Sequence, residues 1–114
     1  MRLEVKKYLF DIQESCQLIA EFTDGKDFAE YTSNAMLRSA VERQFEIIGE
    51  ALNQMLKIEP SLASIITDTR KIIDFRNLLI HGYSKISNQV VWGILEYNLP
   101  ILYREVCDLL KNDL

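Results

Sequence analysis

Glycine, proline, cysteine and histidine are all scarce in this 114-residue chain, which holds four Gly, two Pro, two Cys and one His. So few Gly and Pro leave little material for the turns of a many-stranded sheet, whereas a few long helices need few turns. An all-α fold is expected. Cys16 and Cys107 stand far apart, with no Cys-x-x-Cys spacing and no flanking histidine. Neither a disulfide scaffold nor a zinc site is signalled, and a reduced, cytoplasmic chain fits. Long apolar runs are missing as well: nothing approaches the ~20 residues of a membrane span. The N-terminal segment is broken by Glu4, Asp11 and Glu14 and has no signal-peptide core. Positive charge is also in short supply, with 13 Lys plus Arg against 17 Asp plus Glu and a net charge of -4. That balance argues against nucleic-acid binding through bulk charge. What is present is ordinary globular material, 48% apolar and 26% charged, which predicts one domain over residues 1–114.

Helical periodicity organises most of it. Val5, Leu9, Ile12, Cys16 and Ile19 recur at alternating steps of four and three and predict an amphipathic helix ending near Phe22, before the turn-forming Thr23-Asp24-Gly25-Lys26-Asp27. Ser33-Asn34 then caps a helix whose stripe is Leu37, Val41, Phe45, Ile48, Leu52 and Met55. Asp27 with Glu30 is a candidate earlier helix start. Pro60 ends the long helix, because the residue before a proline is pushed out of the α region. Ser61 to Thr67 reads as a short helix or turn. Thr69 to His81 reads as a third proper helix closed by Gly82, and Ser87 as the cap of a last helix. The stripe of that last helix is Val91, Leu95, Leu99, Leu102, Val106 and Leu109, with a kink expected at Pro100. Together these predict an antiparallel bundle of four to five helices.

The third helix carries residues that do not fit simple packing. Ile72, Ile73, Phe75, Leu78, Leu79 and Ile80 form a broad apolar arc, and Arg76 falls inside it. A guanidinium there must snorkel, find a carboxylate on another helix, or line a cleft for an anion. His81, the only histidine, is by itself most simply a capping or packing residue at a helix end, where the helix dipole favours its protonated form. Arg76 and His81 lie about 140° apart on a continuous helix. They share a site only if the helix loosens at Gly82 or if a cleft borders both faces. The window from Arg70 to Lys85 holds four basic residues and one acid, a charge of +3, so the other 98 residues sum to -7.

Arg76-Asn77-Leu78-Leu79-Ile80-His81-Gly82-Tyr83 resembles the RX4HXY motif of HEPN-domain proteins, specifically the HepT family of toxin-antitoxin ribonucleases. Glu42 to Ala51, which includes Ile48-Gly49-Glu50-Ala51, is similar to the second-helix signature of that family. Val91-Trp92 and Leu99-Pro100 resemble its last helix. A tryptophan that many relatives carry just before the third helix is absent here.

The resemblance implies an α-helical homodimer whose two motif regions border a shared cleft, and a metal-independent endoribonuclease that needs no cofactor. It also implies RNA as substrate and, as partner, a minimal nucleotidyltransferase antitoxin (MntA) of a type VII system that adds AMP to the motif tyrosine. Carried over, Arg76 and His81 are catalytic, Asn77 assists, and Tyr83 is the modified or RNA-contacting hydroxyl. The chemistry is coherent, since His81 suits proton transfer and Arg76 suits the phosphorane oxygens. A single histidine does not readily serve as base and acid in one step, which motivates a site completed by two chains. Two other readings stay open: a non-catalytic HEPN module that binds the nucleotidyltransferase or a nucleotide, and a helical dimer in which Arg76 and His81 are buried structural contacts. Packing alone accounts for Gly49 as a close helix approach, for Glu42, Glu46 and Glu50 as partners of arginines, and for Trp92 as core or interface.

Overall fold

The computed structural model describes residues 1–82 and 86–112. Among these, α1 (Leu3–Thr23), α2 (Phe28–Ser33), α3 (Ala35–Ile58), α4 (Thr69–His81), α5 (Asn88–Gly93) and α6 (Leu99–Asn112) form an all-α antiparallel bundle with no strand. Helix α3 lies at its centre, packed on α1 to one side and on α4 to the other, and α6 covers the free flank of α1.

Local chemistry sets most of the boundaries. Asp27 and Glu30 close a capping box on α2, Asn34 accepts from the backbone N–H of Leu37 to start α3, and the Ser87 side chain accepts from Gln89 to start α5. Each satisfies a helix N–H that would otherwise lack a partner. A 3₁₀ turn, Pro60–Ser64, follows α3. Gly82 closes α4 at φ 59, in the left-handed region that glycine enters without a Cβ penalty. The start of α4 is tied to the last helix. The Thr67 backbone N–H and hydroxyl both donate to the Glu105 carboxylate, at 2.9 and 2.7 Å, and the Asn98 amide donates to Asp68.

The expected stripes of α1 and α3 are all buried. Two others need correction. On the last helix, Ile94 and Leu110 are buried while Leu95 and Leu109 are only partly so. The cause at Ile94 is a π turn over Ile94–Asn98, in which the Leu99 N–H bonds the carbonyl of Ile94, five residues back. Inward positions therefore step by five, from Ile94 to Leu99, rather than by four. Pro100 follows directly. Its missing N–H and its ring favour such a widened turn. Helices α5 and α6 continue through that turn, so the predicted interruption near Pro100 takes the form of a π turn. On α4, Ile72, Ile73 and Phe75 are buried, but Leu78 and Ile80 are about half exposed, at 53% and 49%. The apolar arc is complete only in the first half of the helix.

Candidate active site

Arg76 lies in the middle of the buried face of α4, flanked by Ile72, Ile73 and Leu79. It fits because Gly49 of α3 lies opposite: a Cβ at Gly49 would stand 2.2 Å from Cβ and 2.6 Å from Cγ of Arg76. The glycine is therefore the seat of the arginine stem. Beyond that seat, Nη2 of Arg76 pairs with the Glu50 carboxylate, and Nη1 donates to Oδ1 of Asn77 at 2.8 Å. Nε of Arg76 is buried and has no hydrogen-bond partner among the described residues. The guanidinium is thus oriented by one residue from α3 and one from its own helix.

Arg76 lines a cleft of about 400 Å³ between α1, α3 and α4, together with Tyr8, Asp11, Arg43, Glu46, Glu50 and Ile80. Three carboxylates and two guanidinia face this space, so the charge around Arg76 is on balance negative. Arg43 pairs with Glu46 at 3.2 Å, and Arg70 reaches its own neighbour Asp74 at 3.8 Å.

His81 is the last residue of α4 and is exposed. The helix remains regular up to it, so the loosening that would have turned its imidazole toward Arg76 does not occur. Neither of the two clefts beside α4 counts His81 among its lining residues. Asn77, one turn before His81, is half-buried and shares its side of the helix. The single chain therefore brings Arg76 and Asn77 into contact, while His81 lies on the side of Asn77 and not on that of Arg76. Tyr83 lies outside the described residues.

A second cleft, of about 480 Å³, opens on the other flank of the last turn of α4. It is lined by Thr32, Arg38, Glu42, Leu78, Leu79, Gly82, Ile86 and Asn88. Burial holds the Glu42 carboxyl above its ordinary value, with Arg38 pulling it back and Glu46 adding to the rise. Beside them Tyr31 is fully buried, and its hydroxyl, pushed up to about 12 by burial and by Glu42, makes no hydrogen bond among the described residues. Its ring packs against Trp92 at 5.3 Å. Arg38 and Tyr31 escaped the sequence reading. The available signal was the four-residue spacing of Arg38 and Glu42, which places both on one face of α3.

Among the described residues no His, Cys, Asp and Glu side chains gather to hold a metal ion, and no helix is long and apolar enough to cross a membrane.

Residues 12–109 match the family model described as Ribonuclease HepT-like. The chain is 36% identical over 107 residues to the "Putative RNase MJ1380" of Methanocaldococcus jannaschii, covering 90% of this chain and 94% of that protein. It is 32% identical over 106 residues to the "Probable ribonuclease HepT" of Thermococcus cleftensis, covering 90% and 92%. A further M. jannaschii protein, "Putative RNase MJ1216", is 29% identical over 110 residues, covering 96% and 89%. No solved structure gives a significant match.

Proposed function

Because the chain belongs to the HepT-like ribonuclease family, we propose that it is a metal-independent endoribonuclease, the toxin of a type VII pair. Its partner on this reading is a minimal nucleotidyltransferase antitoxin that silences it by adding AMP to Tyr83. The observation that carries the proposal is the seating of Arg76, a guanidinium in an apolar helix face with a glycine opposite its stem and two side chains fixing its plane. Such an arrangement holds a bidentate donor in one orientation before substrate arrives.

The reaction is in-line transesterification. The RNA 2′-oxygen attacks phosphorus, the bond to the 5′-oxygen breaks, and a 2′,3′-cyclic phosphate and a 5′-hydroxyl result. His81 moves the proton at one of these oxygens. Arg76 stabilises charge on the non-bridging oxygens, and Asn77 keeps its fork oriented. A regular α4 separates Arg76 from His81, and this supports a cleft shared by two copies, in which a second imidazole supplies the other proton transfer. AMP on Tyr83 would place an anion and its bulk where the RNA phosphate must enter. A soluble location is expected on this reading, with no role at a membrane.

The Glu50 pairing, in a cleft with three carboxylates, favours a second reading, a HEPN module that binds its partner or a nucleotide without turnover. One experiment separates the two: purified protein is incubated with RNA in EDTA, wild type beside His81→Ala. Cleavage by wild type alone, ending in cyclic phosphate, is the expected result. Equal behaviour of the two proteins rejects the ribonuclease reading.

A further inference from the structure

The mechanism leaves unused the cleft on the Gly82 flank of α4. Its polar groups come from three elements: Thr32 from α2, Arg38 and Glu42 from α3, and Asn88 from the first turn of α5. Its apolar wall is Leu78, Leu79 and Ile86. At about 480 Å³ it is within the range of small-molecule sites and large enough for a nucleobase. Gly82 on its rim directly follows His81 in sequence, so their Cα atoms are about 3.8 Å apart. That distance is shorter than one nucleotide.

We propose that this cleft is a base pocket that selects guanine in the RNA, next to the phosphate presented to His81. Glu42 accepts from the guanine N1–H and N2–H, and Arg38 and Asn88 serve its acceptor edge. The assignment rests on the ribonuclease reading above and follows from the donor and acceptor pattern. An ionised carboxylate only accepts, and it has two oxygens side by side. Guanine offers two adjacent N–H donors on its Watson–Crick edge. Adenine and cytosine each set a ring-nitrogen lone pair against one of the oxygens, and uracil offers one donor between two carbonyls. The guanine O6 and N7 suit an arginine. Nη1 of Arg38 already donates to the backbone carbonyl of Thr32, which holds that end of its guanidinium at the pocket wall. The Tyr31 hydroxyl, buried beside Arg38 and Glu42, has no hydrogen-bond partner among the described residues. A carboxylate half withdrawn from water gains more from two directed donors than an exposed one does.

The test uses the full chain and free nucleotides, so it reads the pocket without cleavage. Trp92 is the only tryptophan and packs on Tyr31, and its fluorescence serves as the signal. Guanosine 3′-monophosphate is expected to bind at least about tenfold tighter than the adenosine, cytidine and uridine 3′-monophosphates. Glu42→Gln, which keeps shape but loses an acceptor, should remove that preference, and Arg38→Gln is a second variant should the first fail to fold. Mapped cuts in an RNA of mixed sequence should adjoin guanosine in wild type and lose that bias in Glu42→Gln. Equal binding of the four nucleotides, binding of none, or a preference unchanged by both variants overturns the base pocket. Cleavage without guanine bias also overturns it and leaves the ribonuclease reading standing. A guanine preference that depends on Glu42, in a chain that cuts no RNA, supports the pocket and rejects the ribonuclease reading alone.

Discussion

Gly49 and Gly93 are both helical glycines, yet alanine should act on them in opposite directions. On helix propensity alone, Gly→Ala in a helix interior stabilises by about 1 kcal/mol, because alanine loses less backbone freedom on folding. Gly93 (φ -62, ψ -43) has nothing within 4 Å of the added methyl, so Gly93→Ala should gain most of that amount. At Gly49 the same methyl would stand 2.2 Å from Cβ of Arg76. A Cβ is fixed to the backbone and cannot swing aside, so α3 and α4 must separate. Overpacking of this kind costs roughly 1–3 kcal/mol, which outweighs the propensity gain at its upper range and cancels it at the lower. The two variants should therefore differ by about 1–3 kcal/mol. At roughly 4 °C per kcal/mol for a domain of this size, that is about 4–12 °C in Tm. Thermal and urea unfolding of both variants beside wild type provide the measurement. Gly49→Ala should also lose RNA cleavage under conditions where it remains folded, because the displaced stem takes the guanidinium away from Glu50 and Asn77. If Gly49→Ala is as stable as Gly93→Ala and as active as wild type, the seating argument is wrong.

Two further outcomes follow from buried titratable groups. Burial raises the Glu42 carboxyl in the folded chain above its unfolded value of about 4.5, so the folded state holds this proton more tightly. Its contribution is fully present below the unfolded value and is lost as pH rises through the folded one. Glu42→Gln should accordingly be more stable than wild type near neutrality, with the gap closing as the pH falls to about 4.5. A gap independent of pH would contradict this. The Cys16 thiol is buried and pushed up to about 12, mainly by desolvation, whereas Cys107 is half-buried and accepts the Gln13 amide. Iodoacetamide at pH 8 should modify Cys107 first and reach Cys16 only on unfolding, as peptide mapping would show.

The fold was legible where local chemistry decides it. Asn34, Ser87, the Asp27–Glu30 pair and Gly82 end or begin helices by bonding nearby backbone, and no distant residue changes that. The stripes of α1 and α3 were legible for a related reason: a regular helix against a core has one inward face. The last helix broke the rule at Ile94, where a single wide turn moved the inward position by one residue. Leu78 and Ile80 were misjudged because no described helix of the same chain covers the end of α4, and hydropathy does not say what stands opposite.

Sequence by itself determined the helices, their caps and the RX4HXY segment, since each depends on residues within a turn or two of one another. It also flagged Gly49 as a close approach and Glu50 as a partner for some arginine. Only the tertiary structure joined those two clues to Arg76, because contact across 26 residues depends on how α3 and α4 pack. It likewise changed the meaning of the scarce positive charge. Of the bases in that window, Arg76 turns into a cleft with Asp11, Glu46 and Glu50, so it stands there as one oriented guanidinium among carboxylates. The cleft around Arg38 and Glu42 was invisible for the same reason, as its walls come from α2, α3, α4 and the start of α5, and no periodicity records where such elements meet.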